Sequence, residues 1–169
     1  MEKHIVILNG NGGCGKDTFA NLCAKYAKVK KCSTVDKIKE AASLIGWSPS
    51  LKDDEDSRKF LADFKTLLTN YNDFPFKEIL KSIDEFKNDD NEILFLFIRE
   101  IPEIKRLLSI NSNVKTLLLT NKNTKFIVSN EADKNVLNFD YDYIINNDDN
   151  KVQLDKKAEN FVNMLRETK

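Results

Sequence analysis

Apolar positions along this chain come in two alternating patterns, short continuous runs and stripes at helical spacing. Ile5-Val6-Ile7-Leu8 is a run of the first kind, and it reads as a strand covered on both faces within His4 to Asn9. A helix is predicted from Gly15 to Lys28, with Phe19, Leu22, Cys23 and Tyr26 along its inner stripe. Cys32 to Val35 predicts a second, short strand. Asp36 then caps a helix through Ile38, Ala41, Ala42 and Leu44. Ser48-Pro49 breaks the pattern. Asp54 to Tyr71 carries Phe60, Leu61, Phe64, Leu67 and Leu68 at helical spacing, and Phe76 to Lys87 forms a further helix opened by Pro75. Glu92 to Ile98 is nearly all apolar, as a central strand would be, and Ile101 to Leu108 follows as a helix. Val114 to Leu119 and Asp142 to Asn146 complete the strands, and Leu154 to Leu165 closes the chain as a helix. About five strands alternating with helices predict an α/β fold with a mostly parallel sheet. The interval 36–90 is then a helical insertion beside the sheet.

Composition narrows the class. The 169 residues suit one domain, and 41% hydrophobic with 32% charged residues suits a globular protein better than a disordered or membrane one. The apolar runs are far too short to span a bilayer, and the opening Met1-Glu2-Lys3-His4 is not the pattern of a secretory leader. Lys plus Arg and Asp plus Glu both total 27, so charge points to neither nucleic acid nor an anionic membrane as partner. Cys14, Cys23 and Cys32 are odd in number and lack metal-ligand spacing, which predicts reduced thiols and a cytoplasmic setting.

Four of the five glycines fall between Gly10 and Gly15. The segment Gly10-Asn11-Gly12-Gly13-Cys14-Gly15-Lys16-Asp17-Thr18 fits two motifs. As G-x-x-x-x-G-K it is a phosphate-binding loop, with Asp17 where a Ser or Thr is usual. As G-x-G-x-x-G it is a dinucleotide fingerprint, with Asp36 about where the ribose acid belongs. Both place anions at a helix N-terminus, where unpaired N–H groups and the helix dipole meet the charge. Lys16 favours the phosphate loop, in which an ammonium reaches the β- and γ-phosphates. Cys14, at the helix start, is expected to have a lowered thiol pKa.

The strand–GxxxxGKDT–helix opening resembles the P-loop nucleoside monophosphate kinase-like family, and its GKD variant is similar to deoxynucleoside monophosphate and phosphomevalonate kinases. Phe97-Ile98-Arg99-Glu100-Ile101-Pro102 looks like the third strand of that family with its arginine. Tyr141-Asp142-Tyr143-Ile144-Ile145-Asn146-Asn147 is similar to its final strand. The resemblance implies a three-layer P-loop fold over residues 1–169, a lid-like segment at 120–140, and ATP with Mg2+ as cofactors. It also implies transfer of the γ-phosphoryl group to a nucleoside or deoxynucleoside monophosphate or a similar acceptor. A non-catalytic nucleotide sensor is the alternative, and a dinucleotide-dependent oxidoreductase a remote one.

Within that resemblance Lys16 bridges the phosphates and Thr18 offers a hydroxyl. Asp17 is the candidate metal residue, a helix-start acid being its plainer reading. Arg99 is placed to hold the acceptor phosphate, or else simply closes a strand with an exposed charge. Asp36 and Arg58 belong to the acceptor side, with a helix cap and a solvated helix face as their alternatives. Trp47 reads as core more readily than as a base-stacking residue. Two departures stand out. Phe97 occupies the strand end where an acid usually supports the metal, and the lid-like segment has lysines but no arginine.

Overall fold

The computed structural model describes residues 2–51, 54–123, 135–148 and 150–167. In chain order its elements are β1 (His4–Asn9), α1 (Lys16–Cys23), β2 (Val29–Ser33), α2 (Asp36–Ser43) and a 3-10 turn (Pro49–Leu51). Next come α3 (Glu55–Asn72), α4 (Phe74–Asn88), β3 (Ile93–Phe97), α5 (Ile101–Ile110), β4 (Val114–Thr120), β5 (Tyr143–Asn146) and α6 (Lys151–Glu167). The five strands form one sheet in the order β2-β3-β1-β4-β5, and every pairing is parallel.

Successive residues of a strand face opposite sides, and here both sides are apolar. Val6, Leu8, Ile93 and Phe95 face a core built with Phe19 of α1 and Leu154, Phe161 and Leu165 of α6. Ile5, Ile7, Leu94 and Leu96 face the opposite core, made with Phe76, Ile79 and Phe86 of α4 and Ile104 and Leu107 of α5. The result is the expected three-layer α/β arrangement. Because all strands are parallel, their C-terminal ends share one edge, where open α/β sheets bind ligands.

Some boundaries moved, for local reasons. Helix α1 stops at Cys23 rather than Lys28, because Lys25 and Tyr26 turn tightly onto the carbonyls of Leu22 and Cys23. The Lys28 carbonyl then accepts the N–H groups of Glu92 and Ile93, which draws the chain into the sheet early. Strand β2 therefore begins at Val29, not Cys32.

The apolar stripe read at helical spacing on α3 is largely left uncovered. Asp54 caps this helix, accepting the Ser57 N–H at 2.7 Å. Its buried residues, however, are Ser57 and Lys65, while Phe60 and Leu67 are exposed and line an outer groove of about 590 Å3 with Phe64. The helix lies on α2 and α4 rather than on the sheet, so only a narrow face is covered. Trp47 is buried as expected, and its indole N–H donates to Ser57 Oγ at 2.7 Å. Among the described residues no helix is long and apolar enough to cross a membrane.

Candidate phosphate-loop site

Strand β1 ends in a polar residue at the centre of the sheet. Asn9 is fully buried, and each end of its amide has work there. Its Oδ1 accepts the Gly10 N–H at 2.8 Å, and its Nδ2 donates to Tyr141 Oη at 2.9 Å and to the Arg99 carbonyl at 3.4 Å. Tyr141 Oη donates onward to the Val136 carbonyl, and burial pushes the phenol up to about 12. A buried amide with satisfied partners holds geometry tightly, since leaving it unpaired costs about 1–3 kcal/mol. The root of the glycine loop and the chain at Arg99 are thus fixed to one another.

The loop then runs from Gly10 to Gly15, with φ of 148° at Gly10 and 97° at Gly15. Both lie in the region that side chains disfavour. Helix α1 is anchored behind it by Phe19, which is fully buried with ring contacts to Phe95 and Phe161. From the first turn of that helix Lys16 folds back over the loop, donating to the Gly10 carbonyl at 2.6 Å and the Asn11 carbonyl at 3.0 Å. Its ammonium therefore lies over the loop concavity, where a polyphosphate meets a helix N-terminus. Asp17 and Thr18, next along α1, are exposed, and Lys31 Nζ lies 4.0 Å from the Asp17 carboxylate.

The Cys14 expectation is corrected. The thiol is fully buried, and burial pushes its pKa up despite the nearby charges of Lys16 and Arg99. A helix start lowers a thiol pKa only where the thiolate is solvated well enough to form. Arg99 follows the end of β3 by two residues, and β3 runs parallel to β1 beside it, so Arg99 stands at the same end of the sheet as the loop. Lys16 and Arg99 are thus brought to one edge.

The helical insertion reaches this edge through Lys65 of α3. Its ammonium lies 2.5 Å from Glu100 and 3.4 Å from Glu103, and only 11% of the Lys65 side chain is exposed. Glu100 is the N-cap residue of α5 and follows Arg99 directly. Burial pushes Glu103 up to about 7, and the adjacent Glu100 carboxylate adds to the rise against the pull of Lys65. Burial also opposes ionisation of Glu100, but the Lys65 charge and hydrogen bond outweigh it and hold this carboxyl below its ordinary value.

The two carboxyls therefore act on stability in opposite senses. Between 4.5 and about 7 the folded protein holds a proton on Glu103 that the unfolded chain releases, so stability falls as pH rises through that window. Glu100 contributes stability that is lost only as pH falls below the ordinary carboxylate range. Glu103→Gln is expected to remove the first dependence, so that the variant gains on wild type in melting temperature between pH 5 and pH 8. A difference that stays constant over that range would rule the shared proton out.

The two acceptor-side candidates, Asp36 and Arg58, lie at the starts of two helices. Asp36 is the first residue of α2 rather than its cap, a place taken by Val35, and its exposed carboxylate accepts the Ser33 N–H at 2.7 Å. Arg58 lies half-buried in the first turn of α3, where its N–H bonds the Asp54 carbonyl, while Lys65 carries α3 to the end of β3. The lid-like segment 120–140 falls mostly on 124–134, outside the described residues. Sequence reading also passed over Asn9, Lys65, Glu100, Glu103 and Asn147 as site residues. A polar residue ending or following an apolar run was the available signal for Asn9, Glu100 and Asn147. The dinucleotide reading fails on topology: that fold sets β2 beside β1, whereas here β3 lies between them.

Solved structures share this architecture. The chain is similar to the dephospho-CoA kinase from Campylobacter jejuni, at 18% identity and a TM-score of 0.53, covering 96% of this chain and 97% of that one. A shikimate kinase from Bacteroides thetaiotaomicron gives 13% identity and a TM-score of 0.52, covering 96% and 98%. A sugar kinase from Janibacter sp. HTCC2649 gives 12% and 0.51, covering 96% and 95%. The sequence matches no protein-family model and no curated protein sequence. At these identities the likeness establishes the fold alone, a three-layer α/β fold that this chain shares with those kinases.

Proposed function

We propose that this protein transfers the γ-phosphoryl group of ATP to a small phosphorylated acceptor of the nucleoside or deoxynucleoside monophosphate class. The observation that carries the reading is the placement of Lys16 over a glycine loop at the edge of a β2-β3-β1-β4-β5 parallel sheet, with Arg99 just past the neighbouring strand end. The likeness in fold to a sugar kinase, a dephospho-CoA kinase and a shikimate kinase supports the same chemistry.

Phosphoryl transfer depends on positioning and on neutralising charge more than on covalent steps. In this reading the loop N–H groups and the start of α1 cradle the phosphates. Lys16 leaves the Gly10 and Asn11 carbonyls for the β- and γ-oxygens. Arg99 holds the acceptor's phosphate in line with the transferred group. Asp36 and Arg58 are proposed for the acceptor side of the insertion.

Among the described residues no group of three or more His, Cys, Asp or Glu side chains is placed to hold a metal ion. Magnesium carried by a nucleotide does not need one. It keeps several waters and takes one or two carboxylates besides phosphate oxygens. The exposed Asp17 carboxylate and Thr18 hydroxyl at the helix start are hard oxygen donors that fit this demand. A bound magnesium ion would supply charge neutralisation on the phosphates.

The test is ADP release from Mg-ATP against a panel of nucleoside and deoxynucleoside monophosphates, with shikimate and simple sugars as non-phosphorylated controls. Turnover above the hydrolysis background with one or a few monophosphates is expected. Calorimetric ATP binding without turnover on any acceptor would overturn the kinase in favour of a nucleotide-binding sensor.

A further inference from the structure

Helix start and glycine loop do not by themselves fix which way each loop peptide points. In a planar trans peptide the C=O of one residue and the N–H of the next point in opposite directions. Rotating the Cys14–Gly15 peptide by half a turn would exchange an inward N–H donor for an inward carbonyl acceptor. Such a rotation changes φ of Gly15, and glycine tolerates either sign of φ. The backbone alone therefore leaves this orientation underdetermined, at the second peptide before Lys16.

One side chain settles it. Asn147 Nδ2 donates to the Cys14 carbonyl at 2.9 Å, from a residue far along the sequence. Asn147 is itself tied down, since its N–H donates to the Thr120 carbonyl at 2.7 Å directly after β5. The approach is close enough to restrict the loop sequence. A Cβ at Gly15 would stand 2.6 Å from Asn147 Nδ2, so the clamp as placed requires glycine at position 15. The strand that delivers Asn147 is pinned as well: Asp142 accepts the N–H and hydroxyl of Thr116 at 2.7 and 2.9 Å.

We infer that Asn147 is a positioning residue of the phosphate loop: its amide holds the Cys14 carbonyl outward and so aims the Gly15 N–H at the bound phosphates. This rests on the phosphate-loop reading above. A carbonyl turned inward would both remove a donor and set a partial negative charge against a polyphosphate. Asn147→Ala frees the peptide. Asn147→Asp keeps the volume and the backbone bond to Thr120 but replaces the donor with a carboxylate that repels the Cys14 carbonyl.

Calorimetry with Mg-ATP, acceptor KM and melting temperature on wild type and both variants form the test. The expected result is about a tenfold loss of Mg-ATP affinity for Asn147→Ala, the scale of one lost hydrogen bond to an anion, and a larger loss for Asn147→Asp. Acceptor KM should stay within about twofold of wild type, a split that a merely structural role would not produce. Unchanged ATP affinity in Asn147→Asp overturns the inference while the phosphate-loop reading stands. Equal losses in ATP affinity and acceptor KM, accompanied by a fall in melting temperature, overturn it in favour of a packing role. Failure of the wild type to bind Mg-ATP overturns the reading and the inference together.

Discussion

Lys16→Ala is expected to lose nucleotide binding and transfer while remaining folded. The ammonium serves two carbonyls of the loop, those of Gly10 and Asn11, and the Lys16 residue is half-buried. Water can serve those carbonyls when the side chain is removed, so melting temperature should change little. The ligand has no such substitute. A hydrogen bond between charged groups contributes about 1.5–3 kcal/mol, which corresponds to roughly ten- to over a hundredfold in affinity. Transfer should fall further, because charge on the phosphoryl oxygens grows toward the leaving group during reaction. Lys16→Arg keeps the charge but replaces a compact ammonium with a planar fork, and an intermediate loss is expected. Titration with Mg-ATP decides the matter: wild-type affinity in Lys16→Ala would remove the phosphate-loop assignment altogether.

How much of this was legible beforehand differs between sheet and site. Strands β1, β3 and β4 announce themselves as apolar runs because they are covered on both faces, and the structure places them at the centre of the sheet. The edge strand β2, Val-Lys-Lys-Cys-Ser, has no such run, and its start was misplaced by three residues. Helix α3 was legible as a helix, but the covering of its faces was not. Its apolar stripe is real, but periodicity reports only that a helix has an apolar face, not that the fold covers it. The glycine loop and Lys16 were readable because their chemistry is local in sequence. Asn9, Lys65, Glu100 and Asn147 were not, because each acts on a partner 35 or more residues away. Polar residues matter through their partners, and one sequence shows the strand-end position of such a residue but not the distant partner it serves.

Gly10→Ala should be the most damaging single change in the loop, and Gly12→Ala is its control. A Cβ at position 10 would lie 2.3 Å from the Leu119 carbonyl oxygen and 2.7 Å from Cys14 Sγ. The sulfur belongs to a side chain that could turn aside, but the Leu119 oxygen belongs to the backbone of β4, one of the two neighbours of β1 in the sheet. The backbone at Gly10 also has φ of 148°, which costs a residue with a side chain about 1–3 kcal/mol. Forcing an extra methyl into a filled site adds about 1–3 kcal/mol. Together these approach the lower end of the roughly 5–15 kcal/mol that stabilises a domain. The protein has only one way to relieve the contact short of unfolding, which is to shift the loop away from β4. That shift would break the Asn9 contact to the Gly10 N–H and carry away the carbonyl that receives Lys16. Gly10→Ala is therefore expected to lower the melting temperature by many degrees and to lose Mg-ATP binding even where it stays folded. At Gly12 a Cβ meets nothing within 4 Å, so Gly12→Ala should melt within a few degrees of wild type. Equal melting temperatures for the two variants would mean that β1 and β4 do not hold the loop as closely as this geometry requires.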